Sequence, residues 1–314
     1  MALRNPTVTV IIPTYNRAHL IERSIRSVLD QTYQDFELIV VDDGSTDNTE
    51  EIVARFGDDR IRYIRRNQSS GSPAAPTNTG IKAARGEYIA IQDSDDEWLP
   101  GKLEKQMQVF DNASARVGIV YTDMWRVTED GKKKYWHSPR IMPEEGIVYR
   151  DALGYRVAYI GTQTLVIKGE CFNKAGLFDE KLPNFIDTEL LIRMSRYYYF
   201  YHIEEPLVNY FTTTSSISLN READITARKL ILEKHFEDIK KDRKILARHY
   251  FGIGALLCVN GEVRPARSYI IKAIVTYPLN IKFLLLAFIS LFGQWPCSKT
   301  IDSYQKIRGW WSRE

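Results

Sequence analysis

The rhythm of the first hundred residues restricts this chain more than any other feature. Four runs rich in β-branched and apolar residues, TVTVIIP (7–13), FELIVVDD (36–43), IRYIRR (61–66) and EYIAIQD (87–93), read as buried strands. Between them, AHLIERSIRSVLDQ (18–31), NTEEIVARFG (48–57) and TNTGIKAARG (77–86) read as helices, the first with Leu20, Ile21, Ile25, Val28 and Leu29 at helical spacing. Thr46 or Asp47 is placed to cap the second helix, and Gly57 and Gly86 close the second and third. Strands alternating with helices imply right-handed parallel crossovers, hence an open α/β sheet covered on both faces.

Beyond residue 100 the pattern is mixed. KLEKQMQVFD is helical, VGIVYTDMWRVT is strand-like, and DGKKKYWH reads as part of a hairpin turning at Asp130-Gly131. AYIGTQTLVIKGECFNKAG reads as a strand then a helix, and TELLIRMSRYYYFYHI as a helix running into a strand. From 222 onward the chain reads helical, over 222–240, 243–259, 263–276 and 279–292. The expected organisation is an α/β domain over 1–220 and an α-helical region over 221–314. Residues 222–314 carry 16 Lys and Arg against 9 Asp and Glu, so a chain of net charge +3 has a basic tail and a mildly acidic body. The three cysteines, Cys171, Cys258 and Cys297, are widely spaced and form no CxxC pair, so no disulfide framework or zinc site is indicated. The opening MALRNPTVTVIIP has no signal-peptide pattern, and a cytoplasmic protein is expected. The apolar run 283–292 is shorter than the roughly 20 residues of a membrane span.

In an open α/β sheet, ligands bind outside the carboxyl ends of the strands. Acidic groups recur there: PTYNR (13–17) follows the first strand, DDGSTD (42–47) the second and DSDD (93–96) the fourth. No GxGxxG or GxxxxGK[ST] is present, so neither a dinucleotide fingerprint nor a P-loop accounts for the rim. Crowded carboxylates raise one another's pKa unless a positive charge joins them. A divalent cation on Asp93 and Asp95, shared with a diphosphate, would supply it. D-x-D alone is a weak signal; the preceding apolar strand and the DDGSTD turn give it weight.

These residues resemble the family 2 glycosyltransferases, which have the GT-A fold. VTVIIPTYNRAHLIERSIRSVLDQTYQDFELIVVDDGSTDNT is similar to the family's opening, GIKAARGEYIAIQDSDDEW to its strand leading into the DxD motif, and AGLFDEKLPNFIDTELLIRM to the segment with its catalytic aspartate. The ordered matches span about residues 7–220. The resemblance implies a Rossmann-like mixed sheet, α/β in class, with a C-terminal α-helical extension. It also implies inverting sugar transfer from a nucleotide diphosphate sugar, a UDP-sugar by preference, with Mn²⁺ or Mg²⁺, onto a glycan or lipid-linked acceptor. It assigns Pro13, Tyr15 and Arg17 to the nucleotide pocket, Asp42 to the base, and Asn78, Asp93 and Ser94 to the donor. Asp93 and Asp95 are its metal ligands, with Asp95 the more direct, and Asp187 its catalytic base. Asp187 also reads as an N-cap for TELLIRMSR, Asp96 as a helix cap or a supporting group, and Asp42–Ser45 as an Asx turn. Trp98 is expected to line the acceptor side, and Arg193 to face the diphosphate or to pair with Asp179 or Glu189.

Three positions depart from the family pattern. Thr77 stands where the family commonly has Arg, Ile186 where it has Glu, and NYFTTTSSIS lacks a His that often follows the last strand. They leave open a catalytically silent sugar-nucleotide or glycan-binding protein. A nucleotidyltransferase would need a glycine- and lysine-rich loop that PTYNRAH does not supply. The aromatic stretches WHSPR (136–140) and RYYYFYHI (196–203) read mainly as packing, and His137 as a surface residue. The basic tail, with FLLLAFISLF and RGWW, suits a membrane interface, a helical cap or a dimer contact. Nucleic-acid binding is not expected, because the basic residues lie beside apolar helices.

Overall fold

A strand such as VTVIIPT is buried on both faces inside a sheet, and the structure places it between two parallel neighbours. The structure, a computed structural model, describes residues 5–140, 148–212, 220–278 and 280–291, with 296 and 299. Strands β1 (Val8–Thr14), β2 (Phe36–Asp42), β3 (Ile61–Arg65) and β4 (Tyr88–Ile91) alternate with helices α1 (Ile21–Leu29), α2 (Thr49–Ala54) and α3 (Ala74–Ala83). Then come β5 (Glu97–Trp98), α4 (Lys102–Asn112), β6 (Val117–Val127), β7 (Lys133–Trp136), α5 (Val148–Leu153), β8 (Val166–Lys168), α6 (Gly169–Ala175), α7 (Ile186–Met194) and β9 (Tyr199–Phe211). Helices α8 (Arg221–Lys234), α9 (Phe236–Ile239), α10 (Arg243–Val259), α11 (Val263–Thr276) and α12 (Ile281–Ser290) follow.

Among the described residues the sheet order is β3-β2-β1-β4-β8-β6-β9-β5, with β7 beside β6. The strands β1 to β4 pair parallel, as the alternation of strands and helices implies. The short β8 runs antiparallel to β4 and β6, which makes the sheet mixed. Side chains alternate along β1: Val8, Val10 and Ile12 join a core with Ile21, Ile25 and Val28 of α1 and Leu103 and Met107 of α4. Ile11 points the other way, against α3, where a Cβ on Gly80 would lie 2.6 Å from Ile11 Cγ2. Only a glycine lets that helix approach so closely.

The expectation for α3 needs one correction. It begins at Ala74 after Pro73, not at Thr77, and takes Pro76 into its first turn. A proline is tolerated there because its missing N–H would have no intrahelical partner. Glu37 is the unexpected residue of β2. It lies 2% exposed, accepting from Thr9 Oγ1 at 2.8 Å, Arg62 Nη1 at 2.8 Å, Arg85 N at 2.8 Å and Arg85 Nε at 2.9 Å.

The chain divides into two units. One comprises Met1–Tyr149, Val157–Glu180 and Ile186–Thr214, and holds the sheet. The other comprises Arg150–Arg156, Lys181–Phe185 and Ser215–Glu314. In this second unit α10 and α11 form a helical hairpin turning at Gly261, whose φ is 90°. Asp242 caps α10 by accepting from Lys244 N and Ile245 N, and pairs with Arg150 at 2.6 Å. His249 is 1% exposed with Nε2 2.8 Å from the Leu153 carbonyl; burial pushes its pKa down to about 3, so it donates as a neutral ring.

Candidate active site

Because β1 pairs parallel with both β2 and β4, the segments leaving these strands share one rim of the sheet. The exits from β1 and β2 are stitched together. Asn16, in the left-handed region at φ 52°, donates its backbone N–H to Ser45 Oγ at 2.8 Å and accepts from Thr46 N at 2.8 Å. Ala18 N donates to Asp47 Oδ2 at 3.0 Å. Ser45 and Asp47 thus serve the loops themselves. Pro13 and Arg17 are half-buried beside Tyr15, which is 45% exposed. Neither the Tyr15 hydroxyl nor the Arg17 guanidinium has a side-chain partner among the described residues.

Burial and bonding correct three sequence assignments, those of Asp42, Asn78 and Trp98. Asp42 is 0% exposed, its Oδ1 accepting from Ser45 N at 2.8 Å and its Oδ2 from the Tyr63 hydroxyl, so no oxygen is open to a nucleotide base. Asp43 accepts from Ser69 Oγ at 3.0 Å and Ser70 N at 2.7 Å, and pairs with Arg66 at 2.9 Å, fixing the 66–70 segment at the end of β2. Asn78 is 3% exposed and acts as a clamp: its amide donates to the Phe178 carbonyl and Glu180, and its oxygen accepts from Phe178 N at 2.9 Å. Trp98 is 2% exposed, its Nε1 donating to the Gln163 carbonyl at 2.9 Å and its ring lying 3.9 Å from Lys102 Nζ, so it offers no surface to an acceptor. Arg193 pairs with Glu189 at 2.8 Å and donates to the carbonyls of Ala175 and Leu177, which leaves the second of its two sequence readings, pairing within α7.

The acidic loop after β4 is held from behind by one face of α1. Ser24 Oγ donates to the Asp93 carbonyl at 3.0 Å, Arg23 to the Asp95 carbonyl, and Ser27 Oγ accepts from Trp98 N at 3.1 Å. Two serines at buried positions among Ile21, Ile25 and Val28 are the mark of this grip in the sequence. With its backbone fixed, the loop leaves the carboxylates of Asp93 and Asp95 half-buried and without a hydrogen-bond donor among the described residues. Ser94 between them is buried. Asp96 turns inward at 0% exposure, where Oδ1 accepts from Phe211 N at 2.9 Å. Burial, then repulsion from Asp93 and Asp95, raises its pKa well above the usual range.

Asp187 lies in the first turn of α7, one residue past its start, and so is not the N-cap. Its Oδ1 accepts from Thr188 N at 2.6 Å and from Thr188 Oγ1 at 3.3 Å. Burial raises its pKa, and hydrogen bonds from Thr188 and Thr162 offset part of the rise. The same carboxylate acts on Asp93, whose pKa is raised to about 7 by burial first, then by the charges of Asp95 and Asp187. Asp93, Asp95 and Asp187 therefore form one electrostatic site, although 92 residues separate the second from the third.

These residues fit a divalent cation. Two carboxylates without donors carry negative charge that burial makes costly, and a cation would relieve it. Among the described residues no group of three or more His, Cys, Asp or Glu side chains is arranged to enclose a metal. Two protein ligands leave coordination positions for phosphate oxygens. Of the departures from the family pattern, Thr77 is 2% exposed and donates to the Pro73 carbonyl at 2.7 Å, and Ile186 is buried. The TTTSSIS stretch, where a His was sought, lies almost wholly outside the described residues.

A mixed sheet with a carboxylate cluster at the ends of its parallel strands is the form of a nucleotide-sugar transferase of the GT-A kind. Comparison with known proteins agrees. The family described as "Glycosyl transferase family 2" matches residues 9–182. TuaG of Bacillus subtilis (strain 168), a glycosyltransferase assigned to teichuronic acid biosynthesis, is 33% identical over 220 residues, 69% of this chain and 83% of TuaG. WfgD of Escherichia coli, a UDP-Glc:α-D-GlcNAc-diphosphoundecaprenol β-1,3-glucosyltransferase, is 46% identical over 102 residues, 32% of this chain and 40% of WfgD. The crystal structure of S. aureus TarS residues 1–349 with UDP-GlcNAc superposes with a TM-score of 0.66 at 19% identity, covering 98% of this chain and 93% of that one. The chain belongs to the family 2 glycosyltransferases.

Proposed function

We propose that this glycosyltransferase moves a sugar from a nucleotide diphosphate sugar, a UDP-sugar by preference, to a hydroxyl of a cell-surface polysaccharide or lipid-linked acceptor, with inversion at the anomeric carbon. The observation that carries the reading is the convergence of two donor-free carboxylates, Asp93 and Asp95, with Asp187 at one rim. Asp93 and Asp95 would hold Mn²⁺ or Mg²⁺, which would supply positive charge to offset that growing on the departing diphosphate. Asp187 takes the proton of the acceptor hydroxyl as its oxygen bonds to the anomeric carbon. The bond from that carbon to the diphosphate breaks on the opposite side, and the nucleoside diphosphate leaves with the electron pair. A carboxylate whose pKa is raised by burial is a stronger base than a solvated one. Pro13, Tyr15 and Arg17 line the nucleotide side, Arg17 with its guanidinium free to meet a phosphate, and Ser94 lies against the donor.

TuaG and WfgD, both named for assembling glycans, support the choice of acceptor class, and WfgD and TarS the choice of uridine. A lipid-linked acceptor is delivered at a membrane surface, so the enzyme works there as a peripheral protein. The test is a panel of UDP-, GDP- and dTDP-sugars, read by thermal shift with and without Mn²⁺, followed by transfer to diphosphoundecaprenol-linked GlcNAc. A Mn²⁺-dependent shift with one UDP-sugar and transfer from it are expected. No shift with any donor in Mn²⁺ would sink the reading, and donor binding without transfer to any hydroxyl would point to a silent binding protein.

A further inference from the structure

Helix α12 is apolar but for Lys282 and Ser290, yet half of it is bare. Phe283 and Leu286 face the protein at 3% and 4% exposure, with Ser290 beside them. The opposite side presents Ile281 at 78%, Leu284 at 48%, Leu285 at 53%, Phe288 at 61% and Leu291, just past the helix, at 64% exposure. The spacing i, i+3, i+4, i+7, i+10 makes one continuous stripe. Helix α11 adds Ile271 at 57% and Val275 at 71% exposure, with Lys272 exposed between them. A helix apolar on all sides is normally buried, and a contiguous patch of large apolar side chains marks an interaction surface. No helix among the described residues is long and apolar enough to cross a membrane.

Charge decides what covers the stripe. Between Val263 and Leu291 the sequence has four basic residues, Arg264, Arg267, Lys272 and Lys282, and no Asp or Glu. A second copy docking on the same face would bring two such cationic surfaces together, whereas an anionic bilayer attracts them. We infer that the α12 stripe, with α11 beside it, docks on an anionic lipid surface, lying in the interface with Ile281, Leu284, Leu285, Phe288 and Leu291 among the acyl chains. The inference deepens the reading of a membrane-delivered acceptor and rests on it for its purpose, but its test reads lipid binding and needs no sugar.

The full-length protein is sedimented with vesicles of mixed phosphatidylglycerol and phosphatidylethanolamine, and with vesicles of phosphatidylcholine alone. Binding to the anionic vesicles, falling with added salt, is expected. The double variant L285E/F288E, at two exposed positions, should keep the thermal midpoint and lose binding by about tenfold or more, the burial of each side chain being worth at least that much. Hydrogen exchange over 281–291 should slow when vesicles are added to the wild type, a readout that needs no variant. Equal partitioning of wild type and variant, or unchanged exchange at 281–291, would overturn the proposal. So would a concentration-dependent dimer that L285E/F288E dissociates, which would give the stripe to a second copy. Failure of donor binding with intact vesicle binding would overturn the catalytic reading and leave this one standing.

Discussion

Asp93 and Asp187 repel each other across 94 positions of sequence: the charge of Asp187 is one of the causes that hold Asp93 near pKa 7. One leaves the end of β4 and the other begins α7, and only the folded sheet brings their fields together. Two like charges kept close at a solvent-facing rim make a site that is strained until a cation or a proton enters it.

That strain sets a pH dependence in the metal-free protein. Asp93 has a folded pKa of about 7 against an ordinary value of 3.8, so the folded state holds its proton where the unfolded chain has lost it. A raised pKa contributes stability that is present below the unfolded value and lost as pH rises through the folded one. The melting temperature of wild type minus that of Asp93→Asn should therefore fall between about pH 4 and pH 7 and then level. Added Mn²⁺ should restore the wild type more at pH 8 than at pH 6, because protons compete for the ligands. A flat difference curve would mean that Asp93 is not held at high pKa.

Asp95 and Asp96 are adjacent but have opposite fates, so their variants should separate. Asp95→Asn should abolish the Mn²⁺-dependent part of the donor thermal shift. Asp96→Asn replaces a buried, inward-facing acid with a near-isostere, and should leave donor binding close to wild type. Equal loss in both variants would show that the inward turn of Asp96 is not what distinguishes them.

Asp187→Asn removes the base while retaining a side chain that can still accept from Thr188. Transfer should drop by roughly 10²–10⁴-fold, with donor affinity measured by calorimetry unchanged. Turnover at the wild-type rate would remove Asp187 from the chemistry.

Lys102 is a stability prediction. It is 0% exposed, donates to Gln106 Oε1 at 2.7 Å, and burial pushes its pKa well below the usual lysine value of 10.5. Between the lowered folded pKa and that of a free lysine the unfolded chain keeps a proton that the folded protein has lost, so this residue's contribution grows as pH rises through that window. Lys102→Met should match or exceed wild-type stability at pH 7, as apolar replacement of buried ionisable groups often does. The wild type should gain on it steadily from pH 7 to about pH 10, measured by urea unfolding.

Glu37 behaves in the opposite sense. Burial alone would raise its pKa, but hydrogen bonds from Arg85, Arg62 and Thr9 outweigh burial and lower it from 4.5. A lowered carboxyl pKa contributes stability above the unfolded value that disappears as pH falls through the folded one. Glu37→Gln should cost roughly 2–3 kcal/mol at pH 7, the scale of hydrogen bonds to a charged group. Unfolding curves below about pH 4 should bring the two proteins together.

By itself the sequence determined which segments are strands and helices through the first hundred residues, because periodicities of 2 and 3.6 are written in the apolar positions. It also determined that acidic residues gather where the parallel strands end, since that follows from strand order alone. The direction of each side chain beyond a strand's last residue was not legible. Asp42 and Asp43 are neighbours, yet one closes on Ser45 and Tyr63 and the other on Ser69, Ser70 and Arg66. Trp98 looked available beside the acidic cluster, and only the pairing of β5 with β9 and the Gln163 carbonyl turned it into the core. Asn78 finds its partners 100 and 102 residues away. Local patterns are set by the chain's own period, whereas the orientation of a polar side chain is set by whichever distant donor or acceptor the fold brings within about 3 Å of it. That choice belongs to the tertiary structure.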